Sequence, residues 1–156
     1  MSSASSTDSI ERSVVIEAPR ERVWRALSNA EEFGTWFGVN LKGQVFAPGQ
    51  RASGYITYPG YEHLLMEVKV DRVEPQDLLS FYWHPYAIDQ GVDYSKEEPT
   101  LVTFTLHDAP GKATRLKIVE SGFDKVPPGR RAEAFRMNSG GWDEQMLNIK
   151  RHASVV

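Results

Sequence analysis

The chain has 156 residues, 40% hydrophobic and 25% charged, with seven Phe, six Tyr and four Trp. That is the length of one domain with enough core material to fold without staples, which excludes a disordered chain. The absence of cysteine excludes disulfides, thiolate nucleophiles and cysteine-held metal, and a formal charge of −3 supplies no general basic face for nucleic acid.

Met1 to Ser9 is Ser-rich and has neither a basic n-region nor an apolar h-region, so it reads as a disordered tail and not as a signal peptide. The expected domain is 10–152, with 153–156 as a C-terminal tail. No apolar run approaches the roughly 20 residues that span a bilayer, and a chain without cysteine suits a reducing cytoplasm.

Ile10 to Glu17 is β-rich with partial alternation and ends at Ala18-Pro19, which predicts a first strand. Pro19 suits the first turn of a helix, where its missing N–H is not needed. Val23, Ala26 and Leu27 then recur at helical spacing until Ser28-Asn29, and Glu31 to Phe37 gives a second short helix.

Strands are expected at Leu41–Phe46, Arg51–Tyr58, His63–Val73, Leu78–His84, Leu101–His107 and Thr114–Phe123. Turns at Ala47-Pro48-Gly49, Pro59-Gly60, Pro75-Gln76-Asp77 and Ala109-Pro110-Gly111 separate several of them. Pro85 to Thr100 shows no periodicity. With Tyr86, Ile88 and Tyr94 among acidic residues, it is either an ordered surface loop or a lid over a pocket.

Arg130 to His152 predicts one long helix, with Phe135, Asn138, Trp142, Met146 and Ile149 on a stripe. Gly140-Gly141 inside it costs roughly 1 kcal/mol per Gly relative to Ala, which calls for a close approach or a bend. A strand, two short helices, a run of antiparallel strands and a long terminal helix make an α+β order. The expected architecture is a curved antiparallel sheet of about six to seven strands wrapped around the terminal helix, a helix-grip fold.

These segments resemble a known family. Ile16-Glu17-Ala18-Pro19, Val23-Trp24-Arg25-Ala26-Leu27, Trp36-Phe37, Thr114-Arg115-Leu116, Glu120-Ser121-Gly122-Phe123, Gly141-Trp142, Met146 and Ile149 carry the likeness. Their order and spacing resemble the START/Bet v 1-like (SRPBCC) helix-grip superfamily, in the group named after the C-terminal domain of the activator of Hsp90 ATPase. The resemblance covers Ile10 to His152 and implies a cavity between sheet and helix that takes sterols, lipids, polyketides or hormones. The group's namesake joins this domain to a second one, for which the sequence shows no counterpart.

The residues that would line such a pocket are Trp36, Tyr55, Met66, Phe81, Trp83, Phe104, Ile118, Phe135, Trp142 and Met146. The same residues could fill a plain packed core, but their aromatic load favours a cleft. Glu120 is in phase with Leu116 and Ile118 and points inward. Either it reaches solvent or an Arg at the strand end, or it is a polar anchor or a carboxyl of raised pKa in the pocket. Asn138 could contact a ligand or satisfy a buried neighbour.

No residue stands out as catalytic, and no metal-ligand spacing or nucleotide-binding loop appears. No cofactor is expected. The favoured reading is a domain binding a small lipophilic or aromatic molecule, without nucleic acid and without stable membrane insertion. One alternative is a polyketide cyclase or aromatase drawing on Glu120, His84, Tyr82 and Asn138. Another is a protein-binding module that activates an Hsp90-type ATPase, a chaperone partner; a homodimer is compatible with each of these readings.

Overall fold

The computed structural model describes residues 8–84 and 97–154. Its sheet is built from β1 (Ser9–Ile16), β2 (Arg51–Tyr55), β3 (Leu65–Glu74), β4 (Leu78–Trp83), β5 (Thr100–Ala109) and β6 (Ala113–Ser121). Helices α1 (Arg20–Ser28) and α2 (Ala30–Phe37) follow β1, and the long helix α3 (Pro128–Ala153) closes the chain.

All neighbouring strands pair antiparallel in the order β1-β6-β5-β4-β3-β2. The first strand thus lies beside the last, and β1 and β2 form the two edges. This is the curved α+β sheet gripping a long helix that the sequence predicts, with six strands.

The alternation in each strand has a physical cause: one face is covered by helices and the other meets water. In β6, Leu116, Ile118 and Glu120 are buried while Lys117 and Val119 between them are only half-buried. In β3, Met66, Val68 and Val70 are buried. A bulge between Val70 and Arg72 places Asp71 where it accepts from the buried Ser80 hydroxyl at 3.1 Å.

Asn29 joins α1 to α2. Its backbone N–H donates to Arg25 O, ending the first helix, and its side-chain oxygen accepts from Glu32 N at 2.9 Å, starting the second. Gly38 then ends α2 at φ 96°, in the left-handed region that favours glycine.

Leu41–Phe46 is not a strand. Val39 makes one bridge to Ile56, Asn40 N donates to Tyr55 O at 2.9 Å, and the chain turns where Gln44 N donates to Leu41 O at 3.0 Å. Leu41 and Phe46 are nonetheless buried, at 1% and 6% exposure. Their apolar pattern reflects plugging of the core, not ladder pairing. This crossing requires glycine at Gly54, where a Cβ would stand 1.8 Å from Asn40 O.

Asp8 and Ser9, expected in the N-terminal tail, are paired. Asp8 O accepts from Gly122 N and Phe123 N, and Ser9 already pairs with Ser121. At the other end, Ala153 is the buried last residue of α3, not part of a tail.

Helix α3 lies along β1 and touches α1 and α2. Its buried residues are Ala134, Trp142, Met146, Ile149 and Ala153, with Phe135 and Asn138 half-buried at the same face. Near its C-terminus, Glu32 of α2 bonds both Arg22 of α1 and His152 of α3, tying three helices together. Burial would raise the Glu32 carboxyl, but Arg22 and His152 hold it below the ordinary carboxylate value. Among the described residues no helix is long and apolar enough to cross a membrane.

Candidate functional site

Glu120 organises the site. It sits on β6 between Ile10 of β1 and Val102 of β5, fully buried. Strand phase turns its side chain toward the helix layer, where an unpaired carboxylate would be very costly.

Four donors meet it. Oε1 accepts from Trp142 Nε1 at 2.8 Å and from Asn138 Nδ2 at 3.0 Å. Oε2 accepts from Thr100 Oγ1 at 2.5 Å and Trp83 Nε1 at 2.7 Å, with Asn138 Nδ2 also at 3.2 Å. Among the described residues no cation lies within salt-bridge reach of it.

A carboxylate offers about four lone-pair sites, so four donors satisfy it. The two indole N–H groups can only donate, and an amide nitrogen facing a carboxylate does the same. The set is therefore built for an acceptor. Burial pushes the Glu120 carboxyl above its ordinary value, and the hydrogen bonds from Thr100, Trp83, Trp142 and Asn138 pull it partly back.

In front of this carboxylate lies a half-open cleft of about 170 Å³, lined by Phe37, Trp83, Asn138, Gly141 and Trp142. Each element contributes one wall: Phe37 from the end of α2, Trp83 from the end of β4, the rest from α3. The Trp83 and Trp142 ring centroids are 5.7 Å apart at 30°, and Phe37 lies 5.9 and 6.0 Å from them. Asn138 gives its amide N–H to Glu120, and its Oδ1 has no hydrogen-bond donor among the described residues.

The structure places the sequence candidates in several different surroundings. Trp83, Asn138, Trp142 and Glu120 come together at the cleft. Met66, Phe81, Phe104, Ile118 and Met146 are buried in the core beside it. Phe135 packs edge-on against Phe123 at 5.3 Å.

Two candidates lie elsewhere. Tyr55, on edge strand β2, is 57% exposed. Trp36 donates its Nε1 to Ala26 O at 2.8 Å and borders a separate polar groove with Thr35, Tyr58, Asn148 and His152.

The polar residues of the enzymatic alternative do not gather. Tyr82 lies on the outer face of β4, and His84 Nε2 bonds Glu97 O at 3.0 Å. Of that set only Asn138 reaches Glu120. The proposed lid falls mostly on residues 85–96, outside the described residues.

Sequence reasoning missed Thr100, Phe37 and Gly141 as site residues. Thr100 carried no signal beyond standing at the start of β5. The expected Gly140-Gly141 close approach is not what the structure shows. A Cβ at either glycine would meet nothing within 4 Å, and α3 runs unbroken through both.

The sequence matches the family model described as "Activator of Hsp90 ATPase homolog 1-like protein" over residues 17–154. No curated protein matches it. Among solved structures it is similar to DynU16, a putative protein in the dynemicin biosynthetic locus, at 24% identity and a TM-score of 0.68. That alignment covers 93% of this chain and 46% of DynU16, so this chain spans about half of that protein.

A protein from Arthrobacter aurescens aligns with a TM-score of 0.77 at 20% identity, over 94% of this chain and 86% of that one. The Aha1 dimer from Colwellia psychrerythraea aligns at 0.68 and 15% identity, covering 94% and 96%. At these identities the likenesses show the fold alone. The family match extends over most of the chain, and the chain belongs to the Activator of Hsp90 ATPase homolog 1-like family.

Proposed function

We propose that this member of the Activator of Hsp90 ATPase homolog 1-like family binds a small lipophilic or aromatic molecule in the cleft between the sheet and α3. The observation that carries the reading is an aromatic wall held in place from behind. Trp83 and Trp142 come from different elements, yet both donate to Glu120, which fixes their ring orientations. Rigid aromatic surface beside a few placed polar groups is the usual make-up of a ligand site.

The size of the cleft limits what enters it. Ligand pockets commonly measure about 300–1,000 Å³, and this one measures about 170 Å³. It accommodates a ring or a branched head, with the rest of the ligand at the mouth. The core behind it is already filled, since Phe33, Phe81 and Phe104 stack within 6.2 Å of one another.

Binding is favoured over catalysis because the lone pairs of Glu120 are all engaged, which leaves no free base for a substrate proton. A reducing cytoplasm suits the cysteine-free chain.

The test is native mass spectrometry of the protein purified gently from its own cells, beside a Gly141→Leu variant that places a side chain at the cleft mouth. A stoichiometric small-molecule adduct, present on the parent and lost on the variant, is the expected result. An adduct-free mass, together with no thermal stabilisation by a broad panel of lipids and aromatic compounds, would overturn the reading.

A further inference from the structure

We propose that the cleft takes the cationic alkylammonium head group of an otherwise lipophilic ligand. This rests on the ligand-binding reading above and names the chemistry of the group that enters.

The described side chains that line the cleft are aromatic or amide groups. Parts of three rings, Phe37, Trp83 and Trp142, line it, and Asn138 adds a carbonyl oxygen without a donor among the described residues. Among the described residues that line it there is no lysine, arginine or histidine. A cation over the face of an aromatic ring is attracted by the ring quadrupole, most strongly for Trp.

Glu120 behind the wall strengthens that attraction. Both indoles donate their N–H to it, at 2.7 and 2.8 Å, and donation to an acceptor pushes electron density onto the ring that the cleft exposes.

Size agrees with charge. A cleft of about 170 Å³ has room for a compact branched head but not for a large polycyclic body. Gly141 leaves the mouth open at the point where an alkyl tail would exit, since nothing stands within 4 Å of where its Cβ would be.

The experiment compares three ligands of similar shape on the intact protein: benzyltrimethylammonium, its uncharged carbon isostere neopentylbenzene, and anionic benzylsulfonate. Binding is read from the indole N–H resonances of Trp83 and Trp142 during NMR titration. The cation is expected to bind roughly tenfold or more tighter than the neutral isostere, and the anion weakest. In Glu120→Gln the preference for the cation should narrow.

If the neutral compound matches or exceeds the cation in the parent protein, the charge assignment is wrong and the lipophilic reading stands. If none of the three shifts either indole, the ligand site itself is refuted and the head-group proposal falls with it. The three-ligand order is read in the parent protein, so a variant that fails to fold does not remove the test.

Discussion

Two opposing effects act on the single carboxyl group of Glu120. Burial raises its pKa from the ordinary value of 4.5, and four donors lower it again, with burial prevailing. A raised carboxyl pKa means the folded chain keeps its proton at pH values where the unfolded chain has lost it. The contribution to stability is then full below about pH 4.5 and is lost as pH rises through the folded value. Glu120→Gln removes that titration. The stability of the parent relative to this variant should therefore fall as pH rises above 4.5, measured by urea unfolding of both proteins between pH 4 and 9. Parallel curves would mean that Glu120 ionises in the fold as it does in water. Glu32 supplies an internal contrast: its pKa is lowered, so its contribution is present above 4.5 and lost on acidification in both proteins.

At the scale of elements, the middle of α3 carries two glycines, Gly140 and Gly141, that the fold does not need for space or backbone angle. Neither has a positive φ, and a Cβ on either would meet nothing within 4 Å. Alanine at each should raise helix stability by roughly 0.5–1 kcal/mol. Only Gly141 borders the cleft, so Gly140→Ala should stabilise with ligand affinity unchanged, whereas Gly141→Ala should stabilise and weaken binding. Urea midpoints and ligand titrations on the two variants check this, and equal effects on binding would show that Gly141 does not guard the mouth. The elements themselves were largely readable, because one covered face per strand leaves a period of two in the residues. That periodicity by itself turns Glu120 inward. The strand expected at Leu41–Phe46 rests on its bounding turn and not on alternation: Leu41 and Phe46 stand five residues apart, out of phase for one face, and both are buried from a turn. Tyr55 also departs from expectation, because its edge strand leaves the ring in water. The site was half readable. Trp83, Asn138 and Trp142 are polar-tipped groups that strand phase and helix stripe bring to one place. Thr100 meets Glu120 only through the register of β5 with β6, which a single sequence does not display.

The whole molecule raises the question of whether core and cleft are one body or two. Phe33 of α2, fully buried, contacts the rings of Trp36, Phe37, Phe46, Phe81 and Phe104. From there the chain of rings runs on, since Phe104 and Phe37 lie 5.8 and 6.0 Å from Trp142. The aromatic residues of the sequence thus do two jobs that composition cannot separate: most fill volume, and a few at the end of the network present a surface. Phe33→Ala should cost about 3–5 kcal/mol, a large part of the roughly 5–15 kcal/mol that holds a domain folded. The cavity it leaves lies directly behind Phe37, so that ring should lose its backing while Glu120 still anchors Trp83 and Trp142 from the sheet. The expected result is a lower urea midpoint together with weaker ligand binding, even where the variant is fully folded. A variant that loses the stability but binds as the parent does would show that hydrogen bonding to Glu120, and not the packed core, is sufficient to hold the binding surface.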